Sequence, residues 1–388
     1  SGWPRGAGTT SHVAARDPET GEAGVRYLTD MDEAAMEELA AAMGQPRFRG
    51  RQLFEWVHRR LETDLQVRSN LPVAFLSRLA EGHRVARVEC EGEQVSADGS
   101  TRKRLLRLAD GQTVEAVLME VSDQSEESGR HTVCVSSQVG CALGFGFSVT
   151  GQVGFVRQLS AGEIVEQVYQ FERMLRSRAA PRGARWVDNV VFMGMGEPLA
   201  NYPAVMSAVR LLTSPRGLKL GARRITISTV GLVPGIERLA GEGLQLGLAI
   251  SLHAADDQLR GRLVPVNRRY PVARVVQAAT AYSARTGRRV TYEYAMIRGV
   301  NDGPSHAGRL ARLLSGRLCH VNLIPLNGSL DPTLEPSPPE RMVAFKRVLD
   351  EAGVPCTIRR TRGQDILAAC GQLRYTRRDE SPEGDRGS

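Results

Sequence analysis

The spacing of apolar residues changes along the chain. From Met31 to Met43 they recur at helical intervals. The segment Gly50 to Thr63 repeats this, with Leu53, Phe54 and Val57 on one face and Arg51, His58, Arg59 and Arg60 elsewhere, and Pro72 to Glu81 repeats it again. The period then shortens to two. Arg102–Leu108 and Thr113–Met119 alternate like strands on either side of the turn Asp110-Gly111. The pattern predicts a small helical unit joined to a hairpin.

Beyond it, short apolar runs alternate with amphipathic stretches. The predicted strands are His131–Ser136, Val187–Met193, Arg224–Ser228, Gln245–Leu252, Arg289–Ile297, His320–Pro325 and Cys356–Arg360. The predicted helices are Ala161–Arg178, Tyr202–Leu212, Pro234–Ala240, Val272–Arg285, His306–Leu314 and Pro339–Glu351. Repeated β-α-β order implies a parallel sheet with right-handed crossovers. Six or seven units are too few to close an eight-stranded barrel. The expected α/β fold is therefore an open, partial (β/α)6 TIM-like barrel, with a doubly wound sheet as the alternative.

Composition narrows the class. At 41% hydrophobic and 24% charged, the 388-residue chain reads as globular. No apolar run is long enough to span a bilayer, and Ser1 to Asp30 holds no apolar stretch of secretory type. Residues 1–30 and 374–388 are expected to be disordered tails. The net charge of +8 favours a polyanionic partner such as RNA, although a merely basic soluble protein has the same balance. Cys90, Cys134, Cys141, Cys319, Cys356 and Cys370 are too scattered for a disulfide framework, and a reducing cytoplasm suits them better. The expectation is a cytoplasmic monomer.

In parallel α/β folds chemistry collects at the carboxyl ends of the strands. There the chain places Gln138-Val139-Gly140-Cys141-Ala142-Leu143-Gly144, Gly194-Met195-Gly196-Glu197-Pro198, Ser228-Thr229-Val230-Gly231, Ser251-Leu252-His253-Ala254 and Pro325-Leu326-Asn327. Singly, each has an ordinary reading. The glycines could form a turn, His253 could be an interior histidine, and Ser228 and Asn327 could cap helices. Glu197 is harder to dismiss, because an acid at a strand exit invites a ligand amine or hydroxyl.

Together these segments resemble the RlmN/Cfr family of radical S-adenosylmethionine enzymes, which methylate a ring carbon of adenine in RNA. The likeness starts with Cys134-Val135-Ser136-Ser137 ahead of Cys141 and includes Thr150-Gly151-Gln152 and Gly154-Phe155. It also takes in Ala368-Ala369-Cys370-Gly371-Gln372-Leu373, and Phe48-Arg49-Gly50-Arg51-Gln52-Leu53-Phe54-Glu55-Trp56 is similar to the family's helical N-terminal domain. The resemblance implies an accessory, RNA-binding helical and hairpin domain over 31–112 and a radical SAM-type partial barrel over 113–373. It implies ribosomal or transfer RNA as the partner and no membrane. It implies that Cys370 takes the methyl, Cys134 resolves the protein–RNA crosslink and Glu115 accepts the ring proton. Gly196, Glu197, Ser228, Ser251, Leu252, His253 and Asn327 match contacts to S-adenosylmethionine.

One motif departs from the family. Its [4Fe–4S] cluster needs Cys-x3-Cys-x2-Cys, whereas this chain reads Cys141, Phe145 and Ser148 at those positions. Phe145 has no donor atom, and Ser148 offers a hard oxygen in place of soft sulfur. Cys90, Cys319 and Cys356 offer no replacement at comparable spacing. Three readings follow: an RlmN-type adenine-carbon methyltransferase, a cluster-free RNA-binding relative that keeps the fold, or a polar S-adenosylmethionine-dependent enzyme reusing the pocket. Arg47, Arg49, Arg51, Arg102, Lys103, Arg104, Arg223, Arg224, Arg359, Arg360 and Arg362 are candidate phosphate contacts, each of which could equally be a solvated surface charge.

Overall fold

The computed structural model describes residues 25–65, 70–121, 129–141, 143, 154–178, 186–327, 333–359, 363, 365, 366 and 368. The elements run β1 (Arg26–Tyr27), α1 (Glu33–Ala42), α2 (Phe48–Glu55), α3 (Val73–Gly82), β2 (His83–Arg84), β3 (Glu89–Val95), β4 (Thr101–Arg107), β5 (Thr113–Val121), β6 (Arg130–Cys134), β7 (Gln138–Gly140), β8 (Phe155–Gln158), α4 (Ala161–Arg178), β9 (Asn189–Phe192), α5 (Tyr202–Thr213), β10 (Ile225–Thr229), α6 (Val233–Ala240), β11 (Gly247–Ser251), α7 (Asp257–Leu263), α8 (Val272–Thr286), β12 (Val290–Met296), α9 (Pro304–Leu314), β13 (Cys319–Pro325), α10 (Pro339–Glu351) and β14 (Cys356–Ile358).

Ten strands form one open sheet in the order β14-β13-β12-β11-β10-β9-β6-β5-β4-β3. From β6 and β9 to β14 the pairing is parallel, and β3 to β6 pair antiparallel. The partial barrel expected from the alternating pattern is therefore present. The hairpin strands extend the same sheet, and the expected domain boundary at 112 falls in the turn between two paired strands, β4 and β5.

Alternation sorts the side chains. Val190, Ile227, Ile250, Tyr292, Val321 and Leu323 pack in the core beneath the helices. Each Val, Ile or Leu among them contributes about 1.5–3 kcal/mol by leaving water. The opposite parity carries Thr132, Asn189, Ser228, Ser251, Glu293 and Asn322, and this polar set makes the inner, concave face. Local signals set the helix ends. Asp32 and Asp256 cap α1 and α7 by accepting from the N–H of Ala35 and Leu259. The left-handed Gly287 (φ 67°) ends α8.

Helix α4 fastens the N-terminal helices to the barrel. Glu166 accepts from the Thr29 hydroxyl and from the main-chain N–H of Arg87 and Val88. Asp30 pairs with Arg87 and accepts from Gly162 N–H. His58 donates from Nε2 to Met31 O (3.1 Å), and the Tyr169 hydroxyl donates to its Nδ1 (2.7 Å). Complete burial lowers the His58 pKa to about 4, so the ring is neutral. The expectation of a disordered tail over 1–30 is corrected at its end: Arg26–Tyr27 pairs with β2, and Leu28 and Thr29 are buried.

Candidate functional site

The strands β6, β9, β10 and β11 end on one rim, and most of the residues singled out in the sequence meet there. After β6 the chain makes the short β7–β8 ladder, in which Cys141 N–H donates to Gly154 O (2.8 Å). Gly140 must be glycine here. Its φ is +72°, and a Cβ would lie 1.8 Å from Gly154 O. Cys141 is partly buried next to the Gly196–Glu197 loop, and burial followed by the Glu197 charge raises its pKa. Phe145 and Ser148 lie outside the described residues.

The Gly-Met-Gly-Glu-Pro loop is locked onto this ladder. Gly196 adopts φ +97°, and a Cβ there would strike the Gln138 side chain at 2.6 Å. Gln138 Oε1 accepts from Glu197 N–H (2.8 Å). The Glu197 carboxylate is 2% exposed and accepts from Leu199 N–H (3.0 Å) and Val230 N–H (2.8 Å). Burial pushes its pKa up to about 7, against the pull of these donors and Thr229. The acid expected to meet a ligand amine is therefore, in its contacts here, a brace between two rim loops.

The Ser251-Leu252-His253 segment is held on both sides. Leu252 and His253 donate their N–H groups to Glu293 O, and Asn301 donates to His253 O (2.9 Å). His253 has φ 59°, a left-handed conformation that a non-glycine residue keeps only where its surroundings enforce it. Its Nδ1 accepts from Ala295 N–H (3.0 Å), which leaves the proton on Nε2. Burial and then the nearby Arg260 lower its pKa to about 3.

Arg260, which sequence reasoning did not single out, lies beneath these loops with no solvent exposure. Its Nε–H and Nη hydrogens go to Leu252 O, Asn267 Oδ1, Tyr270 O, Val230 O and Ser251 O. A guanidinium has five N–H donors, and all five are engaged. The sequence signal was an Arg six residues after the Ser-Leu-His-Ala segment, on a short helix that the periodicity did not reveal.

On the hairpin side, Glu115 is buried and its Oε1 lies 3.0 Å from Lys103 Nζ. Its carbonyl accepts from Ser136 Oγ, which itself accepts from Met195 N–H, so the hairpin and the rim loop are joined. Cys134 pairs in register with Val117, two residues from Glu115, so thiol and carboxylate share the inner face. Lys103, expected as a phosphate contact, is 7% exposed and directed inward. Arg102 and Arg104 both pair with Glu93. Ser228 and Ser251 are half-buried and Asn327 buried, at the carboxyl ends of β10, β11 and β13. Cys370, Arg360 and Arg362 lie outside the described residues. The chain leading to Cys370 docks on the hairpin, where Ala97 N–H donates to Asp365 (2.7 Å).

Comparison with known proteins agrees with this architecture. The sequence model of the Radical SAM superfamily matches residues 141–310, and that of the ribosomal RNA large subunit methyltransferase N-terminal domain matches residues 27–85. A Moorella thermoacetica protein named "Probable dual-specificity RNA methyltransferase RlmN" is 48% identical over 344 residues, covering 89% of this chain and 96% of its own. A Frankia alni protein of the same name is 48% identical over 382 residues, covering 95% and 88%. The crystal structure of a radical SAM methyltransferase from Sphaerobacter thermophilus superposes with a TM-score of 0.84 at 47% identity, covering 90% of this chain and 99% of that one.

Proposed function

Because the chain belongs to the RlmN family of the radical SAM superfamily, we propose that it binds RNA and keeps the cofactor-side pocket but does not itself assemble a [4Fe–4S] cluster. The donor set carries this reading. Such clusters are held by thiolates, and of the three motif positions only Cys141 supplies one. Three of the other cysteines are poorly placed to compensate. Cys319 and Cys356 open β13 and β14, at the end of the parallel strands opposite the rim, and Cys90 is exposed on β3. Among the described residues, no group of three or more His, Cys, Asp or Glu could hold a metal. The residues present do not fit the family's cluster.

What remains is recognition. The net charge of +8 suits a phosphate backbone, and Arg47, Arg223 and Arg224 are exposed. Affinity for a structured RNA should fall steeply with salt, and a flat response would remove the phosphate-contact argument. The RNA methyltransferase activity named for the relatives is the second reading, favoured by Glu115 and Cys134 sharing one face.

Anaerobic reconstitution with iron and sulfide separates the two. The wild-type chain should show no cluster absorption and far less than a full complement of iron. Phe145→Cys/Ser148→Cys should gain both. A complete cluster in the wild-type chain would overturn the cluster-free reading in favour of the methyltransferase.

A further inference from the structure

A buried acid on the concave face has no part in the function described so far. Glu293 lies in the middle of β12, in register with Ser251 on one side and Asn322 on the other, and Asn322 is in register with Thr357. Residues in register share a face, so the four side chains form a row across the inner wall.

The hydrogen bonds in this row have a definite direction. Asn322 Nδ2–H donates to Glu293 Oε1 (3.0 Å), and the Thr357 hydroxyl donates to Asn322 Oδ1 (2.8 Å). Having given its one proton to Asn322, the Thr357 oxygen must accept from His320 Nε2 (2.9 Å). The chain of donors runs toward Glu293 and stops there. Glu293 is 5% exposed, and its Oε2 is a buried oxygen with no hydrogen-bond partner. Burial raises its pKa, with Arg359 and the Asn322 bond pulling the other way. A buried polar atom left unmet costs about 1–3 kcal/mol.

A purely structural role explains this poorly. Asn322 meets one oxygen of the acid, and no hydrogen-bond partner meets the other. The surroundings favour a ligand. The carbonyl of Glu293 holds the N–H groups of Leu252 and His253. Ser251 and Asn322 are partly exposed and Thr357 is exposed, so the row is reachable from the concave side.

We propose that Glu293 is a ligand-binding residue of this face, its Oε2 accepting a hydrogen bond from an N–H or O–H donor on an adenosyl group held against Ser251-Leu252-His253. The proposal rests on the family reading that this segment meets S-adenosylmethionine. It does not depend on whether a cluster forms.

Calorimetric titration of the iron-free protein with S-adenosylhomocysteine and with adenosine tests it. Glu293→Gln is the informative variant. Its single carbonyl oxygen stays with Asn322, so its NH2 faces the ligand donor and two donors oppose each other. Both ligands should lose about tenfold or more in affinity. Glu293→Met should lose as much, while Thr357→Val, remote from Oε2, should change affinity by less than about threefold. Thermal unfolding of each variant reports on the fold independently. Unchanged affinity in Glu293→Gln would overturn the proposal, as would a wild-type protein that binds neither ligand. A loss seen with S-adenosylhomocysteine but not with adenosine would overturn the adenosyl assignment. Iron content plays no part in these measurements, so failure here leaves the cluster-free reading standing, and the reverse also holds.

Discussion

Glu293 on the concave side is treated differently from the buried acids on the helix side. On the helix side, the acids of α4 are completely engaged. Glu163 meets Arg157 and the N–H of Ser160. Glu166 meets Thr29, Arg87 and Val88. Glu172 meets Arg176 and the N–H groups of Trp186 and Val187. On the concave side, Glu293 keeps a buried oxygen without a partner. Satisfied acids join elements, whereas an unsatisfied one is costly unless something else supplies its donor. Burial alone therefore does not separate these carboxylates; the count of donors around each does.

The largest effect should come from breaking the satisfied side. Glu172→Ala strands the N–H of Trp186 and of buried Val187 and should lower unfolding stability by about 3 kcal/mol in urea titration. A loss below about 1 kcal/mol would erase the contrast.

His58 is part of the same junction and makes it sensitive to acid. Its pKa is about 4 in the fold and 6.5 when unfolded. Below pH 6.5 the unfolded chain binds a proton that the fold refuses. The stabilisation is complete above pH 6.5 and is lost as pH falls toward 4, by up to about 3 kcal/mol. Glu166, which burial raises to about 7, and Glu197 titrate with the opposite sign. They are common to wild type and His58→Gln, so the difference between the two stability–pH curves isolates the histidine. A difference that stays constant from pH 7 to 4 would contradict the assignment.

On the concave side the expected cost is small. Glu293→Met removes an acid whose second oxygen lacks a donor, and the unfolding free energy should move by less than about 1 kcal/mol in either direction. Smaller still is Arg347→Ala on α10, whose pair with Glu351 is exposed; less than about 0.5 kcal/mol is expected from the same unfolding curves.

Much of the fold was legible because its periods are strong. Both ends of α4 and α10 agree with the apolar spacing, and every predicted strand of the parallel series is present within a few residues. The misses have physical causes. Strand β3 is polar and exposed at the sheet edge, so it shows no burial pattern. Helix α7 has seven residues, too few for a helical period to stand out. Lys103 reads as surface charge until the register of β4 on β5 turns it toward Glu115. Glu293 escaped notice for a related reason, since a charged residue in an alternating strand suggests solvent. The available signal was its setting in Val-Thr-Tyr-Glu-Tyr-Ala-Met: strands of a parallel sheet are covered on both faces, so an acid at the centre of one calls for a partner.

The bond from Cys141 N–H to Gly154 O closes the chain into a ring at the foot of the segment that departs from the family pattern. The bond joins two main-chain atoms, so it can form whatever side chains stand between Cys141 and Gly154. Natural variation could erase two thiols there by neutral drift while leaving the rest of the sheet under its usual constraints. Closure by main-chain atoms sets the same two ends for any segment of this length, so a chain carrying a thiol-bearing relative's ten residues there should keep the Cys141–Gly154 bond.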